Sequence, residues 1–91
     1  MLGTVRKRPD DQLDYDVDFE RWLSPGDTIQ DATATPEPAG VTVERIEVFG
    51  AIVKVWLSGG TAGGSHKINV TASTAEGRVK EVAFILRVME C

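Results

Sequence analysis

The sequence predicts an all-β domain: an antiparallel sandwich of six to seven short strands behind an extended N-terminal arm. Three observations carry that prediction. Apolar residues recur with period two in one segment after another, most strictly where Leu13, Tyr15, Val17 and Phe19 alternate with Asp14, Asp16 and Asp18. Turn signals separate these segments: Pro25-Gly26, the stretch from Pro36 to Gly40, Gly50, the glycine-rich run from Gly59 to Gly64, and Gly77. Helical periodicity is nowhere sustained.

The elements follow in order. Residues 1–12 read as an arm, aperiodic and charged, with a basic cluster Arg6-Lys7-Arg8 ahead of Pro9-Asp10-Asp11. Such a segment is either a solvated terminus or an arm that orders on a partner, and the expectation is that it is mobile in the isolated domain. Residues 13–91 make the folded domain. The first strand is a half-buried one with acid on its outer face, followed by a short turn at Arg21-Trp22-Leu23. Residues 28–35 are a second strand, rich in Thr and Ala. Val41–Phe49 is a third, and its apolar parity switches from Val41 and Val43 to Ile46 and Val48, which calls for a bulge or bend. Residues 51–58 put Val53, Val55 and Leu57 on one face and Ile52, Lys54 and Trp56 on the other. Residues 66–73 place His66, Ile68, Val70 and Ala72 on one face. Residues 78–88 do the same with Val82, Phe84, Leu86 and Val88. The expected core is Tyr15, Val17, Phe19, Val53, Val55, Leu57, Ile68, Val70, Val82, Phe84 and Leu86. The strand spacing and a length near 100 residues suit a single immunoglobulin-like β-sandwich without the Cys–Trp–Cys signature of antibody domains; a small barrel is the other closure.

Composition narrows the setting. Ninety-one residues make one small domain, which buries only about 60–65% of its unfolded surface. A 42% hydrophobic and 26% charged balance is that of an ordinary globular chain. The net charge of −4 weighs against non-specific nucleic-acid or membrane-surface binding. Cys91 is the lone cysteine, which reads as a free terminal thiol without an internal disulfide. The basic N-terminus lacks the apolar segment of a secretory signal.

No catalytic, cofactor or metal constellation emerges. Asp14-x-Asp16-x-Asp18 begins like a calcium loop, but the glycine and glutamate of an EF-hand are replaced by Phe19 and Pro25. The acidic run reads instead as the outer face of an edge strand, guarded against pairing with other chains. The glycine run from Gly59 to Gly64 leads into Ser65-His66-Lys67 and a strand, not into the Lys-Ser/Thr and helix of a phosphate loop. His66 is the only histidine and has no companion nucleophile or ligand. Its default role is to bond nearby backbone. Trp56 is either an exposed contact residue or a cap on the edge of the core.

The order of these blocks resembles a family of small bacteriophage and prophage structural proteins, the fiber–tail adaptors or tail accessory proteins. The residues that carry the resemblance are Lys7-Arg8-Pro9-Asp10-Asp11, then Leu13-Asp14-Tyr15-Asp16-Val17-Asp18-Phe19 with Trp22-Leu23, then Gly26-Asp27-Thr28-Ile29. Ser58-Gly59-Gly60-Thr61-Ala62-Gly63 and the hairpin Thr74-Ala75-Glu76-Gly77-Arg78 complete it. One departure is His66, where the family-like pattern has a tyrosine able to tie a sandwich corner through its hydroxyl.

The resemblance implies an immunoglobulin-like sandwich in a virion, made in the bacterial host cytoplasm. It would be a non-enzymatic adaptor touching other phage tail or connector proteins, with homo-oligomerisation left open. The alternative is a free-standing binding module for a carbohydrate or cell-surface ligand, which an exposed aromatic platform around Trp56 would favour. The candidate contact residues form three groups: Asp14, Asp16 and Asp18; Ile52, Lys54 and Trp56; and Arg6, Lys7 and Arg8.

Overall fold

A computed structural model describes residues 3–89. It contains seven strands, β1 (Thr4–Lys7), β2 (Leu13–Asp18), β3 (Ile29–Glu37), β4 (Val41–Phe49), β5 (Ile52–Gly59), β6 (Ser65–Thr74) and β7 (Val79–Val88), and no helix among the described residues. They form a four-stranded sheet in the order β1-β7-β6-β3 and a three-stranded sheet in the order β2-β5-β4. Every pairing is antiparallel except β1 with β7, which is parallel. The hairpins β4–β5 and β6–β7 stay within a sheet, while the links β1–β2, β2–β3, β3–β4 and β5–β6 cross between sheets. That connectivity is the Greek-key pattern of an immunoglobulin-like sandwich.

The core is the inner face of both sheets, as the alternation requires. Val17, Phe19, Val53, Val55, Leu57, Ile68, Val70, Val82, Phe84 and Leu86 are all buried, joined by Ile29, Val41 and Ala72. Tyr15 is only half-buried: its ring lies 6.0 Å from that of Phe84, while its hydroxyl reaches the sandwich margin. The parity switch in β4 is a bulge, with the register shifting between Val43 and Arg45. One extra residue there turns Ile46 inward to face Val55, and it thereby turns Arg45, Glu47 and Phe49 outward.

The expectation of a free arm is corrected. Thr4–Lys7 is an edge strand of the larger sheet, in register with Ile85 to Val88. The Ile85 amide donates to the Gly3 carbonyl at 2.9 Å and the Met89 amide to the Lys7 carbonyl at 2.7 Å. The physical reason is that four residues suffice for a parallel edge ladder and need only one or two inward side chains, too few to show as a period. Val5 is the half-buried one and Lys7 the buried one. Cys91, read as a free thiol, lies outside the described residues.

Two loops are fastened in ways that the sequence only hinted at. His66, 7% exposed at the start of β6, donates Nδ1–H to the Pro38 carbonyl at 2.8 Å. The carbonyl can only accept, so the proton sits on Nδ1. The imidazole thus ties β6 to the β3–β4 corner, a tie that needs only a short ring here. The glycine run is bonded onto β7: Gly63 donates to Val88, and Val88 donates to the Gly64 carbonyl. At Gly60, with φ of +100°, a Cβ would come within 2.7 Å of Val88, so the close approach requires glycine.

Candidate interaction face

The outer face of the three-stranded sheet gathers the residues of two candidate groups into one surface. Strand register arranges it as three rows running across β2, β5 and β4. The first is Asp14–Trp56–Arg45, the second Asp16–Lys54–Glu47 and the third Asp18–Ile52–Phe49. The acidic run and the Trp56 segment, read from sequence as separate patches, are therefore neighbours on one face. β2 is an edge strand, so its aspartates line the margin of the sheet.

The first two rows are wired together. The Lys54 ammonium lies 2.8 Å from Asp14 and 3.4 Å from Asp16. The hydrogen bond from Lys54 holds the Asp14 carboxyl below its ordinary value, and the same bond raises the ammonium of Lys54. The indole N–H of Trp56 donates to Glu47 at 2.7 Å. The Arg45 guanidinium sits 4.1 Å from the Trp56 ring centre, a cation–π contact, with its Nε 3.6 Å from Glu47. Trp56 is thus neither a cap on the core nor an open platform. It is half-buried, with its face covered by Arg45 and its N–H satisfied.

The third row is different. Asp18 accepts the Glu20 amide at 2.8 Å and has no ion-pair partner among the described residues. Phe49 is 55% exposed, beside the half-buried Ile52. Together with Asp16 and Lys54 these two side chains line a shallow hollow of about 330 Å³. Phe49 is a residue the sequence reading passed over. Its signal was the parity switch in β4: once Ile46 and Val48 turn inward, Phe49 must turn outward.

The basic cluster is split rather than gathered. Strand alternation sends Arg6 and Lys7 to opposite sides of β1. Arg6 points outward, directly across the ladder from Arg87, and both line a hollow of about 380 Å³ with Gly63, Gly64, Val88 and Met89. Lys7 points inward at 2% exposure, and its ammonium donates to the Arg8 carbonyl at 2.7 Å. Burial lowers its pKa, against the opposing pull of Asp11 and Asp10. Arg8 sits exposed in the β1–β2 loop, where its amide donates to the Asp11 carboxylate.

Sequence reading also missed Asp27, of the Gly26-Asp27-Thr28-Ile29 segment. It is 8% exposed, and its Oδ1 accepts amides from Thr28 and from Glu76 across the sandwich end. It fastens the β2–β3 loop to the β6–β7 hairpin.

Fold and surface together define a small immunoglobulin-like sandwich whose polar chemistry is spread over a sheet face. The family comparison narrows that class. Residues 7–87 match the model of the podophage GP4 fiber-tail adaptor protein gp77, and the chain belongs to that family. No curated protein matches the chain.

Proposed function

We propose that this chain is a non-enzymatic structural component of a phage tail, a fiber–tail adaptor that works through protein–protein contacts. It would be made in the host cytoplasm and incorporated into the virion. Family membership supports the setting, and the three-row face of β2, β5 and β4 supports the mode of action. That face carries four carboxylates (Asp14, Asp16, Asp18 and Glu47) against two cations, Lys54 and Arg45, with aromatic and aliphatic groups between them. Aromatic and aliphatic groups set among charges of both signs suit a contact with another protein. The rim acids would steer a basic partner surface and set the salt dependence of association. The net charge of −4 gives no support to a nucleic-acid or membrane surface as the partner. The carbohydrate-binding alternative loses its main argument, because Arg45 already occupies the face of Trp56.

The test is particle assembly with Trp56→Ala and with a triple Asp14, Asp16 and Asp18→Asn variant, each checked for folding. The proposal expects impaired assembly in at least one of them, and a salt-dependent slowing in the triple variant. Normal assembly by both well-folded proteins removes this face from the adaptor's function.

A further inference from the structure

We infer that the anchor point of this face is the Phe49–Ile52 hollow, and that its occupant is an apolar side chain of another protein flanked by lysine or arginine. The inference rests on the preceding reading and specifies where on the face the energy lies and what chemistry fills it. Three observations converge on the third row. Phe49 is the most exposed aromatic residue described, at 55%, and it stands at the β4–β5 hairpin. It shares its row with Ile52, and the two line a shallow, open hollow of about 330 Å³. The three rows that hold the hollow carry four carboxylates against two cations, a negative surplus. Lys54 is already shared between Asp14 and Asp16, and Asp18 has no cation partner among the described residues.

Trp56, by contrast, has its hydrogen bond and its stacking partner supplied from within the chain. A partner would have to displace Arg45 to reach its ring. An exposed aromatic group without such internal partners gains most from being covered. The carboxylate of Asp16, which lines the hollow, and that of Asp18, across the ladder from Ile52, favour a cation next to the incoming apolar group. Asp18 also lines an adjoining hollow, together with Arg21 and Lys80. The complementary cation would therefore lie toward Asp16, on the Phe49 side.

The experiment uses the full chain and a capped peptide, Ala-Lys-Leu-Lys-Ala, followed by amide chemical shifts. Two control peptides separate the contributions: Ala-Lys-Ala-Lys-Ala lacks the apolar group and Ala-Glu-Leu-Glu-Ala reverses the charge. The expected result is shifts centred on Phe49, Ile52, Asp16 and Asp18, with at least tenfold weaker binding by either control and by Phe49→Ser. Asp18→Asn, which leaves the apolar pair intact, should weaken the lysine peptide severalfold and not the glutamate one. No binding of the first peptide, shifts confined to Trp56 and Arg45, or equal binding by Phe49→Ser each overturn the inference. Particle assembly separates it from the broader reading. Failure in Trp56→Ala with normal assembly in Phe49→Ser keeps the face and rejects the anchor. Normal assembly in all the variants, the triple aspartate variant included, rejects the face itself.

Discussion

The hydroxyl of Tyr15 on β2 donates to the carbonyl of Arg6 on β1 at 3.0 Å, joining the free edges of the two sheets. β1 and β2 belong to different sheets and share no ladder, so this bond closes a margin that backbone pairing leaves open. The ring behind it packs on Phe84, which seats the hydroxyl without further support.

Tyr15→Phe keeps the ring contact and removes the bond. The expected cost is about 0.5–1.5 kcal/mol, the net worth of one hydrogen bond. The local effect should exceed the global one. Amide hydrogen exchange should speed up in β1, at Val5 and Lys7, while the centre of β6 is unchanged. Equal acceleration across the whole domain would mean that the bond supports the core and not the edge.

Deleting residues 1–8 should destabilise the isolated domain. It removes the Gly3 and Lys7 ladder bonds, the acceptor for Tyr15 and the buried stem of Lys7. At about 1 kcal/mol per bond the loss is on the order of 2–4 kcal/mol, a large share of the stability of a domain this small. Urea unfolding of the two chains measures it. An unchanged midpoint would restore the reading of this segment as a free arm.

How far the sequence reached depended on how many residues voted for each feature. The core was legible because each of its strands repeats its inward residue several times, so that Phe84 is identified by Val82 and Leu86 as much as by itself. The β4 bulge was legible for the same reason, since four apolar residues disagree on parity. β1 has only Val5 and Lys7 facing inward, and a buried lysine looks like a solvated one until its ammonium is seen on the Arg8 carbonyl. The merging of the Asp14 and Trp56 groups was hidden because strand pairing, not strand composition, makes them adjacent. Phe49 was deducible from the bulge but needed that parity to be carried to the end of the strand.

Tyr15 is the only tyrosine, so phenolate absorbance reports on it alone. Its pKa is raised, chiefly by burial and then by the charges of Asp11 and Asp14. The folded state therefore holds the phenol proton more tightly than the unfolded chain. The associated stability is fully present below the unfolded value near ~10 and is lost as pH rises through the folded one. A spectroscopic titration should show a midpoint above that of the denatured protein, and Asp11→Asn should lower it. Coincident midpoints would place the ring in water.

The pair Asp14 and Lys54 gives the face its pH range. The hydrogen bond from Lys54 is the largest cause of the lowered Asp14 carboxyl, and the bond to Asp14 is the largest cause of the raised ammonium. The carboxylate's contribution is present above the unfolded value near ~3.9 and is lost as pH falls through the lower folded value. The ammonium's contribution is present below its unfolded value near ~10.4 and is lost as pH rises through the higher folded one. Between those limits both charges are in place. Both side chains are at the surface, so added salt should weaken the coupling. Carboxyl-carbon NMR should find Asp14 titrating at lower pH than the denatured chain. Lys54→Met should move it upward, because the hydrogen bond and the charge of Lys54 are lost and only the weaker pull of Arg45 remains. If Asp14 titrates identically in Lys54→Met, the ion pair is absent in solution. The second row would then expose a free lysine, and the negative surplus assigned to the face would have to be drawn again without it.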